Sequence, residues 1–175
     1  LALFFLITSA SIINAQLVSP DPYFVIESGS VVITFDATQG SGGLAGYTGD
    51  VYVHTGVITS NSTGPSDWKY VVSNWGQNTP ETKLTNIGPD LYTLDIGPTI
   101  RDFYSVPLGE TILQIALVFR SDVAIGGSYL EGKTSEGGDI YVDLYEAGLN
   151  IAITYPDQAD MVVEINDVIL INVAA

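Results

Sequence analysis

Both tryptophans of the chain, Trp68 and Trp75, and its only histidine, His54, fall between Gly49 and Gly76. Tyr70, Asn74 and Gln77 lie among them. Flat indole and phenol rings can hold the C–H face of a sugar, while neighbouring amides orient its hydroxyls. Trp68, Tyr70, Trp75, Asn74 and Gln77 are therefore the candidate ligand-binding residues. Taken singly, each indole is as well accounted for by core or loop packing. Grouped beside the amides, they describe a platform. His54 has no second histidine and no cysteine at ligand spacing, so it reads as a packed or hydrogen-bonded residue.

Other chemistries find less support. The chain has no cysteine, which excludes disulfides, thiol nucleophiles and thiolate metal sites. No catalytic residue is assigned: no serine or cysteine motif surrounds His54, and the acids Asp50, Asp67, Asp90, Asp102, Asp122, Asp139 and Asp143 are scattered over turns and strand ends. Gly40 to Ala45, GSGGLA, matches a phosphate-loop pattern only superficially, because a strand rather than a helix is expected after it. Twenty acidic residues against five basic ones give a net charge of -15. That balance excludes nucleic acid and disfavours anionic membranes. It is compatible with a neutral polysaccharide, and with Ca²⁺ as the one cofactor to consider.

The candidate residues must be positioned by strands. Alternating apolar runs predict β-strands at Ser30–Ala37, Val51–Ile58, Trp68–Trp75, Thr82–Asn86, Asp90–Ile96, Thr111–Arg120 and Asp139–Tyr145. Glycine- and proline-rich turns separate them. The one short helix is expected over Pro98–Val106, with Pro98 in its first turn. Strict alternation along the third strand puts Trp68 and Tyr70 on one face and Trp75 on the other, unless a bulge rotates one of them. The strand spacing, without βαβ alternation, predicts an all-β antiparallel sandwich.

The ends of the chain read differently. Residues 1–15, LALFFLITSASIINA, carry the apolar run and small-residue junction of a cleavable signal peptide, truncated at its start, which predicts a secreted or cell-surface protein. Residues 16–22 are an extended lead-in, 23–146 the sandwich module, and 147–175 the start of a second, incomplete β domain. Its strands are expected at Leu149–Tyr155, Met161–Ile165 and Val168–Val173. The chain thus reads as the N-terminal piece of a longer protein.

The motifs ITFDATQG (Ile33–Gly40), GDVYVHTGVIT (Gly49–Thr59), WKYVVSNWG (Trp68–Gly76), RDFYSVPLGE (Arg101–Glu110), LVFRS (Leu117–Ser121) and GGDIYVDLY (Gly137–Tyr145) make residues 18 to 146 resemble a known module. It is similar to the N-terminal immunoglobulin-like domain of secreted α-amylase-family proteins of Bacteroidetes. The resemblance implies a non-catalytic, carbohydrate-associated module, with α-glucan or starch as partner and a hydrolase barrel further along the chain. It carries over no ligand-contact residue. The competing expectation is a structural or adhesive extracellular spacer, stabilised by Ca²⁺ and without a sugar ligand.

Overall fold

Two antiparallel sheets face each other across a single apolar core. In the computed structural model, which describes residues 16–155 and 172–174, the first sheet is built from β1 (Val18–Asp21), β2 (Val31–Asp36), β4 (Thr85–Gly88) and β5 (Leu91–Ile96). The second holds β3 (Val51–Thr59), β6 (Ile112–Ile125), β7 (Ser128–Gly132) and β8 (Ile140–Asp143). The strand orders are β1-β2-β5-β4 and β3-β6-β7, with β8 also pairing β6. Lettered in chain order, the two sheets read A-B-E-D and C-F-G, the strand order also found in constant-type immunoglobulin sandwiches, with the last strand divided into β7 and β8. A further antiparallel pair, β9 (Ala152–Tyr155) and β10 (Asn172–Ala174), follows. The signal peptide expected at 1–15 and the strand expected at Met161–Ile165 lie outside the described residues.

Period-two alternation fills the core as the sequence demands. Val31, Ile33 and Phe35 of β2 stand opposite Ile96, Leu94 and Tyr92 of β5, and all six are buried. They meet Val51, Val53 and Val57 of β3 and Ile115, Leu117 and Phe119 of β6. Phe35 and Phe119 stack across the two sheets with ring centroids 3.9 Å apart. Each such fully buried side chain contributes about 1.5–3 kcal/mol. The helix α1 (Ile100–Tyr104) bridges β5 and β6 and sends Tyr104 into the core, where its hydroxyl lies 2.6 Å from Thr55 Oγ1.

Two local expectations are corrected. Trp68–Trp75 is not a strand: only Lys69 makes an isolated bridge, to Val57. The helix begins at Ile100, capped by Thr99, whose Oγ1 accepts the Asp102 N–H at 3.0 Å; Pro98 stays outside it. The lead-in contains β1, paired with β2 over Val18–Asp21. SDVAIGGSYLEG forms the β6–β7 hairpin, which turns at Gly126-Gly127.

Candidate functional site

On the outer face of the second sheet, Tyr52, His54 and Gly56 of β3 stand opposite Arg120, Val118 and Ala116 of β6. Such a face would ordinarily be wet, yet Ala116, Val118 and Arg120 are buried. The cover is the 60–79 segment. Ser62 and Thr63 close its first turn by donating to the Asp67 carbonyl and carboxylate. Lys69 then exchanges backbone hydrogen bonds with Val57 at 2.8 and 2.9 Å, and Val72 donates to Thr55 at 3.0 Å. Two steps along β3 thus match three along the segment. The extra residue is accommodated at Tyr70, which adopts a left-handed conformation (φ 51°) and makes a bulge. Gly56 lies beneath: a Cβ there would sit 2.9 Å from the Lys69 carbonyl.

That bulge redistributes the predicted residues. Trp68 stacks on His54 with centroids 5.7 Å apart and planes at 25°. Trp75 meets the same imidazole edge-on, at 5.4 Å and 83°. The two indoles therefore share one face, on either side of His54, in planes far from parallel. Tyr70 is turned away toward the core, and its hydroxyl donates to Glu110 Oε2 at 2.6 Å. Gln77 is engaged within the segment: its Oε1 accepts from Asn74 N–H at 3.3 Å and its carbonyl from Arg120 Nη2 at 2.6 Å. Asn74 and Gln77 thus hold the loop that carries Trp75, and neither lines the depression beside the indoles.

The depression encloses about 430 Å³ and opens broadly to solvent. Its walls are His54, Trp68, Val71 and Trp75, with Asp67, Glu131, Lys133 and Asp139 around them. Trp75 is 45% exposed. Trp68 is more enclosed, its Nε1–H donating to the Pro65 carbonyl at 3.1 Å, where the Tyr141 hydroxyl also donates, at 2.8 Å. Burial holds the His54 imidazole below its ordinary pKa, and the nearby Arg120 charge adds to the effect, so the ring is neutral at pH 7. Asp67 is held below the usual carboxylate range by the Thr63 N–H and by Lys69. Lys69 pairs with Asp67 at 2.9 Å, and Lys133 with Glu131 at 2.7 Å.

Sequence reasoning missed the supports of this site. Arg120, 1% exposed, has its guanidinium 5.4 Å from the Tyr52 ring and 5.0 Å from the Tyr129 ring. It donates to the Ser121 and Gln77 carbonyls, tying the 60–79 segment to β6. An arginine ending an otherwise apolar central strand was the available signal. The glycine-dense loop after β2 is the second support. Ser41 N–H donates to the Lys133 carbonyl (2.9 Å), Ser41 Oγ–H to the Glu131 carbonyl (3.1 Å), and Lys133 N–H to Ser41 Oγ (3.2 Å). GSGG is thus a clamp on the strand that delivers Glu131 and Lys133 to the depression.

Among the described residues no three histidine, aspartate or glutamate side chains gather as a metal-ligand set. Asp143 is engaged by Gln114 Nε2 at 2.8 Å. No protein-family model matches the chain, and no curated protein matches it.

Proposed function

We propose that this chain is the non-catalytic, carbohydrate-contacting module of an exported multidomain protein, with α-glucan as its first candidate ligand. The observation that carries the reading is the convergence of Trp68 and Trp75 on one open depression rimmed by ionic side chains. A sugar ring laid on Trp75 exchanges poorly solvated apolar surface for C–H/π contact, and the rim groups receive its hydroxyls. In this reading the parent is a secreted α-amylase-type hydrolase whose catalytic residues lie outside this chain. Affinity electrophoresis in gels containing soluble starch or a cellulose ether, with calorimetry on maltoheptaose, tests it. Retardation that Trp75→Ala removes supports the reading; equal mobility on every glycan overturns it.

A specific observation favours a second reading, that of a rigid spacer. Trp68 Nε1 and the Tyr141 hydroxyl both spend their donors on the Pro65 carbonyl, so part of the aromatic cluster fastens the loop. A spacer would lose stability on Trp68→Ala and ignore every glycan. A melting temperature that rises with Ca²⁺ would add the ion-stabilised form of that reading.

A further inference from the structure

One of the three carboxylates around the depression has no direct partner. Asp67 and Glu131 each have a lysine within ion-pair distance. Asp139, half-buried on the same wall, has neither a salt bridge nor a side-chain hydrogen bond among the described residues. Lys133, also on the wall, is the partner of Glu131, and His54 is neutral at pH 7 because of its burial and the nearby Arg120 charge. The Arg120 guanidinium is itself directed at the Tyr52 and Tyr129 rings and at the Ser121 and Gln77 carbonyls, with no carboxylate partner among the described residues. An unpaired carboxylate beside two indoles and an imidazole is a cup with negative walls of two kinds: an anionic oxygen and the electron-rich faces of the rings. A hydroxyl uses the first modestly and the second through its neighbouring C–H groups. An organic ammonium uses both at once, since it pairs with the carboxylate and is drawn to the aromatic faces. A bare divalent ion does not fit, because it needs several converging oxygens and no such set is present among the described residues. The net charge of -15 raises the local concentration of any cationic ligand.

We infer that the depression formed by His54, Trp68, Trp75 and Asp139 selects a saccharide bearing a free amino group, an amino-sugar unit whose ammonium faces Asp139 and whose ring lies against Trp75. This rests on the carbohydrate-contacting reading above and puts an amino sugar ahead of α-glucan as the preferred ligand.

Calorimetric titration of the chain with three oligosaccharides of equal length tests the inference: a glucosamine oligomer, its fully N-acetylated counterpart and a malto-oligomer. At low salt and a pH where the amine is charged, the glucosamine oligomer binds about tenfold more tightly than the other two. Asp139→Asn removes that preference, so that the three ligands bind alike, and Trp75→Ala abolishes binding of all three, both variants keeping the wild-type melting temperature within a few degrees. Equal affinity for the three wild-type titrations overturns the amine inference and leaves the carbohydrate reading standing. Binding of the glucosamine oligomer that survives Trp75→Ala is diffuse attraction to an acidic surface and also overturns the inference. No heat with any of the three overturns both.

Discussion

Gly40→Ala tests whether the glycine-dense loop is a clamp on the site. Two costs are separable there. Gly40 has φ +61°, a conformation that disfavours an alanine by about 1–2 kcal/mol. Its added Cβ would also lie 2.1 Å from the Lys133 carbonyl oxygen, far inside contact distance, so the loop must lift away. Lifting breaks the three hydrogen bonds between Ser41 and the Glu131–Lys133 backbone, at about 0.5–1.5 kcal/mol each. The expected loss is about 2.5–6.5 kcal/mol. Gly42 supplies the control: it has nearly the same φ, +62°, but its Cβ would come no closer than 4.0 Å to the Thr38 carbonyl. Gly42→Ala should cost about 1–2 kcal/mol, the conformational part alone. Gly43, whose φ is not positive, isolates the other part, with a Cβ 2.3 Å from the Glu131 carbonyl. Urea unfolding followed by tryptophan fluorescence and far-ultraviolet dichroism ranks the three, with Gly42→Ala mildest. If Gly40→Ala and Gly42→Ala agree within about 0.5 kcal/mol, the contact to Lys133 does not matter and the clamp argument fails.

Three further outcomes are expected. Tyr104→Phe leaves Thr55 without its hydroxyl partner in the core and should lower stability by about 1–2 kcal/mol in the same urea assay; an unchanged midpoint would mean that the pair is idle. Glu110 is held below its ordinary value near 4.5 by hydrogen bonds from Thr59 and then Tyr70. Its stabilising share is complete above that ordinary value and disappears as the pH falls through the depressed one, so acid-induced loss of stability should be shallower in Glu110→Gln; parallel pH profiles of the two proteins would remove the group from the account. Arg120→Met keeps an apolar stem of similar reach but releases the Gln77 carbonyl, and limited proteolysis should then cut within residues 64–79 several-fold faster than in wild type. Equal cleavage rates would show that the segment is held without the arginine.

The layers of the sandwich were legible because alternation survives wherever one strand face meets the opposite sheet. Val31, Ile33, Phe35 and Leu94 point inward at period two, and the strands carrying them fell within a residue or two of their expected bounds. Legibility failed where a polar bulge or a second layer intervened. The β6 strand is apolar on both faces because the 60–79 segment covers its outer one, something a single strand's pattern cannot specify. WKYVVSNW has the composition of a strand, yet the left-handed turn at Tyr70 breaks the alternation and moves Trp75 to the side of Trp68. Trp68 and Trp75 were found by residue type. His54, Asp139, Glu131 and Lys133 join them only through pairing of β3, β6, β7 and β8, which is long-range in sequence.

The chain has two tryptophans, so a ¹⁵N–¹H spectrum should show two indole signals, each readable during a saccharide titration. If the depression between them is the binding site, both signals move and saturate together with a single Kd, with Trp75, the more open ring, moving further. Saccharide binding that leaves both indole signals in place, while backbone signals on the other sheet shift, would contradict that location outright.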